Sequence, residues 1–198
     1  MKIAIAGARG NVGKIVVEEL SKTNHDLVLL VKDIKLDTQL FKPLDSSRTT
    51  IKATNILNTD EVVSATKGCD VLFWMVPPIM SLPSLKEVYE KVTASGTKAV
   101  AENNIDRVIL ISSLGADRGN GLGTVSYVGT MEKAFKKVAR NVMAMRPGYF
   151  MENFILQKDS ILNEGFFTFP FDEDHQIPFV SSDDIAVSYT HLTLPTKA

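Results

Sequence analysis

A short apolar run, a glycine-spaced turn and the start of a helix follow one another directly at the N-terminus. Ile3-Ala4-Ile5-Ala6 leads into Gly7-Ala8-Arg9-Gly10-Asn11-Val12-Gly13, after which Val12, Ile15, Val16 and Leu20 recur with helical period. Glycines at this spacing have separate physical uses. Gly7 permits a sharp turn out of a strand. Gly10 keeps side-chain atoms away from a ligand above the turn, and Gly13 lets the helix pack close to the sheet. The free N–H groups and positive dipole end of that helix suit a phosphate. The segment predicts a strand–loop–helix unit that cradles a nucleotide pyrophosphate, with Gly7, Arg9, Gly10, Asn11, Val12 and Gly13 around it.

The rest of the chain repeats the alternation. Strands are expected at Lys2–Ala6, Leu27–Val31, Thr50–Ala53, Val71–Val76, Arg107–Ile111 and Val142–Met145. Between them lie helical segments at Asn11–Lys22, from Thr59 to near Gly68, at about Leu82–Asn103, and over Thr124–Arg140. Asp33–Thr49 reads as a short helix and a loop. The strands are nearly continuous apolar runs, as a sheet covered on both faces requires. This pattern predicts an α/β fold, a doubly wound parallel sheet of the Rossmann type spanning residues 1–149. In the segment 188–198, Ser188 to Ala198, no helical period is evident. It reads as breaking the helix that Asp183-Asp184-Ile185-Ala186 begins, and as a non-native tail translated from adapter or vector sequence.

Composition narrows the function. Hydrophobic residues make up 44% of the 198 residues and charged residues 23%, with a net charge of −1. No basic run points to nucleic acid or to a membrane surface. No stretch approaches the ~18 apolar residues of a membrane span. The lone Cys69 gives no reason to expect an oxidising compartment, so a cytoplasmic protein is expected. His25, His175 and His191 lack metal-ligand spacing, and Asp172-Glu173-Asp174 with Asp183-Asp184 reads as a solvated acidic loop, so no metal is expected. Ser112-Ser113 lacks a hydrolase elbow. Met75, Met80, Met143, Met145 and Met151 gather near the expected cofactor end of the sheet, as core or as an adaptable apolar wall.

Two features bear on the choice between NAD and NADP. The second strand ends Val31-Lys32-Asp33. Asp33 could bond the ribose hydroxyls of NAD, whereas Lys32 and Arg9 could converge on the 2′-phosphate of NADP. Two cations against one carboxylate favour NADP(H) over NAD(H).

The opening block, Phe73-Trp74-Met75-Val76-Pro77-Pro78, Val108-Ile109-Leu110-Ile111-Ser112-Ser113-Leu114-Gly115-Ala116 and Met145-Arg146-Pro147-Gly148-Tyr149-Phe150-Met151-Glu152-Asn153-Phe154 together resemble NmrA-like proteins, an atypical branch of the short-chain dehydrogenase/reductases. The resemblance runs from residue 1 to about 187, and implies that residues 150–187 are the start of a small C-terminal substrate lobe with an incomplete pocket. It implies that Lys32 lies by the 2′-phosphate, Asn55 near the adenine, and Val76 and Pro77 along the ribose and phosphates. Ser112 and Ser113 would end the fifth strand near the nicotinamide. The family includes NADPH-dependent quinone and azo-dye reductases, and redox-sensing regulators that bind the cofactor without turnover.

The chain departs from the wider family in its proton relay. Short-chain dehydrogenases pair a tyrosine with a lysine four residues on, which lowers the phenol pKa. Here Tyr127 is followed at that spacing by Met131, and Lys133 points about 240° round the helix from Tyr127. Ser112 and Tyr127 remain the catalytic candidates. The expectation is an NADP(H)-binding oxidoreductase passing hydride to a quinone-like or other conjugated acceptor. The alternative is a non-catalytic NAD(P)H sensor that regulates a protein partner.

Overall fold

The alternating apolar runs assemble, in the computed structural model, into one parallel sheet. The structure describes residues 1–76, 84–169, 171–172 and 174–193. The chain runs β1 (Lys2–Ala6), α1 (Asn11–Ser21), β2 (Asp26–Val31), α2 (Ile34–Leu40), β3 (Thr49–Ala53), α3 (Thr59–Ala65) and β4 (Val71–Trp74). It continues through α4 (Leu85–Asn103), β5 (Arg107–Ile111), α5 (Thr124–Phe135) and β6 (Asn141–Met145). The strand order is β3-β2-β1-β4-β5-β6, so the chain winds outward from β1 and then returns to the other side of it. That reversal opens a crevice at the carboxyl ends of β1 and β4, the place where such sheets bind ligands.

Alternate residues of each strand feed two cores. Ala4, Ala6, Leu72, Trp74, Val108 and Leu110 face Val62, Val88, Val92, Val128, Met131 and Phe135 from α3, α4 and α5. Ile3, Ile5, Leu27, Leu29, Phe73 and Ile109 face Val12, Val16, Val17 and Leu20 of α1. Both faces are therefore covered, which is why the strands carry no polar alternation. The expected strand at Val71–Val76 is shorter, ending at Trp74, and the helix expected to reach Arg140 stops at Phe135. A turn closed by Val138 and Ala139 N–H groups on the Phe135 carbonyl follows it.

After β6 come β7 (Tyr149–Phe150), a 3₁₀ turn over Met151–Gln157, α6 (Lys158–Glu164), β8 (Phe179–Val180) and α7 (Ser182–Thr193). β7 and β8 pair in parallel, Tyr149 opposite Phe179. Tyr149, Phe154, Phe169 and Phe179 pack ring on ring beside them. The 3₁₀ turn and α6 bury no residue, and Ile155, Leu156, Leu162 and Phe166 stand exposed.

The expectation that Ser188 onward breaks the last helix is corrected. α7 continues to Thr193, and Tyr189 is fully buried against Phe73, with ring centroids 5.7 Å apart. Its hydroxyl donates to the Leu110 carbonyl at 2.8 Å. Ile185, Ala186 and Tyr189 form a short apolar stripe on one helical face, which the interspersed Ser188 and Thr190 obscure in the sequence.

Among the described residues, no helix is long and apolar enough to cross a membrane. Among the same residues, no group of three or more His, Cys, Asp or Glu side chains could hold a metal ion. Cys69 is buried, and burial pushes its thiol pKa up.

Candidate functional site

The glycine turn sits at the carboxyl end of β1, and its glycines are needed for different reasons. Gly7 has φ +76, and a Cβ there would lie 2.5 Å from the Met75 carbonyl oxygen. Backbone conformation and the close approach of the chain leaving β4 both exclude a side chain. A Cβ at Gly13 would fall 2.1 Å from the Gly7 carbonyl oxygen and 2.9 Å from Ala8 backbone. Gly10 differs. Its φ of −67 is open to any residue, and a Cβ would meet only the Gly7 oxygen, at 3.3 Å. The fold itself tolerates more than glycine there; what glycine provides is a bare surface facing outward.

Gly10 is also the N-cap of α1, and no side chain caps the helix. The Gly10 N–H closes the turn onto the Gly7 carbonyl at 3.0 Å, while Arg9 and Asn11 are exposed on either side. Val12 turns its side chain into the core, so it can serve a ligand only through its backbone. A bare, uncapped helix start above a tight glycine turn fits a pyrophosphate.

At the end of β2, Lys32 is exposed and Asp33 has a structural task. The Asp33 carboxylate caps α2, its Oδ1 accepting from the Lys35 N–H at 3.0 Å and the Leu36 N–H at 3.2 Å. Arg9 reaches toward the same helix, with Nε 3.6 Å from Oδ1 of Asp37.

Beyond β3, Asn55 is exposed and folded on itself. Its Oδ1 accepts from the Leu57 N–H at 3.1 Å, and its own N–H donates to Glu61 Oε2 at 2.7 Å. An open cleft of about 520 Å³ lies nearby, bounded by Ile34, Ala53 and Glu61. Val76 is half-buried against the α3–α5 core, and the expected contacts of Pro77 and Met80 lie outside the described residues. Met75 is buried, Met143 and Met145 pack against the α1-side core, and Met151 is exposed.

The two catalytic candidates are not brought together. Ser112, at the end of β5, is buried and donates its hydroxyl to Glu132 of α5. Tyr127 lies on another face of α5, five residues or about 140° away from Glu132. Its ring stacks on Tyr89 of α4 at 5.7 Å and 22°. The paired tyrosines line a cleft of about 730 Å³ between α4 and α5, with Thr93, Ala94, Ser126 and Thr130. Burial pushes the Tyr89 phenol pKa up.

Glu132 and Arg146 form a network that sequence reasoning did not single out. Arg146 donates Nε to Oε1 at 2.9 Å and Nη2 to Oε2 at 2.8 Å. Burial pushes the Glu132 carboxyl up, but hydrogen bonds from Arg146 and Ser112, and the Arg146 charge, outweigh it and hold the pKa below the usual range. The signal was available: Glu132 interrupts the sheet-facing stripe Val128, Met131 and Phe135 of α5.

Comparison with known proteins bears on the turn and the sheet together. The family profile described as NAD(P)H-binding matches residues 7–147. A nucleoside-diphosphate-sugar epimerase from Staphylococcus aureus is similar in structure, with a TM-score of 0.81 at 17% identity over 98% of this chain and 67% of that one. The Citrobacter sp. triphenylmethane reductase complexed with NADP(H) has a TM-score of 0.81 at 14% identity, over 98% of this chain and 66% of that one. An NADPH-dependent quinone oxidoreductase from Escherichia coli, complexed with NADPH, has a TM-score of 0.77 at 21% identity, over 98% and 65%. The chain thus spans about two thirds of the length of these proteins, and the likeness establishes the Rossmann fold. Among curated proteins none matches by sequence.

Proposed function

The chain belongs to the NAD(P)H-binding family, and on that premise we propose that it is an NADP(H)-dependent oxidoreductase of NmrA type acting on a quinone-like or other conjugated acceptor. The observation that carries the cofactor preference is the arrangement at the end of β2. One oxygen of the carboxylate that could bond a ribose, Oδ1 of Asp33, is occupied in capping α2, while Lys32 is exposed and Arg9 leaves the neighbouring strand end. In this reading the backbone at Gly7, Gly10, Asn11, Val12 and Gly13 holds the pyrophosphate, and Lys32 and Arg9 hold the 2′-phosphate. Asn55 flanks the adenine, and Val76, Pro77 and Ser112 line the path to the reactive ring.

The bound nicotinamide supplies the hydride; the chain supplies orientation and a dry surface. Ser112 directs its hydroxyl hydrogen to Glu132, which leaves its oxygen lone pairs to orient a ligand. Tyr127 lacks a lysine four residues on, and its ring stacks on Tyr89. Without an acid–base dyad, the acceptors that suit this site are electron-poor conjugated systems, which can take their proton from water. The substrates of the Citrobacter triphenylmethane reductase and the Escherichia coli quinone oxidoreductase fall in that class.

The test is NADPH oxidation by the purified chain with a panel of quinones and triphenylmethane dyes. Turnover with one of them supports the reading. Tight NADPH binding with no turnover on any acceptor leaves the redox-sensor function in its place, a reading already favoured by Met131 standing where the dyad lysine would be.

A further inference from the structure

Helix α2 is turned against its own chemistry. Asp37 is its buried residue, at 2% exposure, while Ile34, Leu36 and Leu40 are 45%, 53% and 42% exposed. That orientation forgoes apolar burial and takes a carboxylate out of water, both unfavourable. Something must hold it. The cap at Asp33 fixes where the helix starts, and the Asp37 N–H donates to the Asp33 carbonyl at 3.0 Å. The Asp37 side chain then meets Arg9 from the glycine turn, Nε to Oδ1 at 3.6 Å. That oxygen accepts no hydrogen bond within the described structure, so the Arg9 charge is what compensates its burial.

Arg9 itself is 59% exposed. β1 and β2 run side by side with Ala6 opposite Leu30, so Arg9 and Lys32 leave adjacent strand ends. A guanidinium approached at its Nε keeps its two terminal nitrogens available to pair with two oxygens of a phosphate. We propose that Asp37 is a positioning residue for recognition of the cofactor's 2′-phosphate: it anchors Arg9 from the core side and directs the guanidinium fork to the phosphate. The inference rests on the reading of the chain as an NADP(H) binder. Pre-ordering of Arg9 lowers the entropic cost of gripping the phosphate, so the preference for a 2′-phosphorylated nucleotide depends on a residue that does not touch it.

The experiment compares dissociation constants for 2′,5′-ADP and 5′-ADP, measured by calorimetry on the 198-residue chain and on Asp37→Asn, Arg9→Ala and the double variant. Asp37→Asn keeps the side-chain shape and removes the buried charge; a melting curve confirms the fold. Asp37→Ser, smaller and also uncharged, replaces it if the amide is not accommodated. The expected result is a drop of about tenfold in 2′-phosphate preference for Asp37→Asn, equivalent to ~1.4 kcal/mol, and at least that for Arg9→Ala. The double variant should match Arg9→Ala alone, because Asp37 acts through Arg9. An unchanged preference in Asp37→Asn, a tighter one, or an equal loss in the Arg9→Ala background overturns the proposal. A wild-type chain that binds both nucleotides equally removes the NADP(H) reading itself, a distinct outcome.

Discussion

Arg146 holds the buried carboxylate of Glu132 with two nitrogens, at 2.9 and 2.8 Å, and so ties α5 to the turn that leaves β6. Ser112 adds a third donor from the end of β5. Removing Arg146 leaves the interior carboxylate with the Ser112 hydroxyl and the exposed Lys136 ammonium, 4.0 Å away; breaking a fully buried pair costs about 3–5 kcal/mol. Arg146→Ala is expected to cost less than that, about 1–3 kcal/mol, because the arginine is itself exposed and Lys136 remains. Urea denaturation measures it.

The same carboxylate carries a pH dependence of defined sign. Its folded pKa lies below its unfolded value, so the stability it contributes is complete above the unfolded pKa, about 4.3 for glutamate. That stability is lost as pH falls through the folded value. Unfolding free energy followed from neutral pH into acid should fall more steeply for the wild type than for Glu132→Gln.

The glycines of the turn should separate by role. Gly13→Ala puts a Cβ 2.1 Å from a carbonyl oxygen and should destabilise the fold as well as abolish nucleotide binding. Gly10→Ala meets only one contact, at 3.3 Å, and should melt close to the wild type while losing roughly tenfold or more in NADPH affinity. Melting curves and binding titrations on both variants check the contrast.

At the end of β2, Asp33→Asn keeps a capping side chain and deletes the charge. NADH affinity should stay within about twofold. A much larger loss would mean that Asp33 grips the ribose. Lys32→Ala should leave NADH binding alone and weaken NADPH binding by about tenfold.

Gly96 offers a case in which two effects oppose. Alanine in mid-helix is favoured over glycine by about 1 kcal/mol. Here the added Cβ would lie 2.6 Å from Phe135 Cζ and 2.9 Å from Trp74 Cε2, both fully buried. Overpacking of that kind costs about 1–3 kcal/mol, so Gly96→Ala should destabilise on balance by chemical denaturation.

The glycine turn and the alternation of apolar runs made the parallel sheet legible, because local spacing alone dictates them. Gly7 takes the positive φ of a sharp turn, as its spacing predicted, whereas Gly13 packs closely on the turn backbone at Gly7 and Ala8. What was not legible depends on direction. Whether Asp33 faced a ribose or its own helix could not be read from its position, since a cap and a ligand use the same residue type. Asp37 looks in sequence like a solvated charge between Leu36 and Thr38, and only the third dimension brings Arg9 to it. Glu132 and Arg146 lie fourteen residues apart on different elements, so their pairing is tertiary information. The helical stripe through Tyr189 was hidden because its polar neighbours suggested an irregular tail.

The most direct test of the account is a thermal-shift titration of the chain with NADPH and, separately, with NADH. A ligand that binds only the folded state at 100 times its dissociation constant adds about 2.7 kcal/mol, which for a chain of this size is a rise of several degrees. Stabilisation by NADPH at concentrations where NADH gives little is the expected result. A cooperative melting transition that neither cofactor moves would contradict the claim that the Gly7–Gly13 turn is a dinucleotide site.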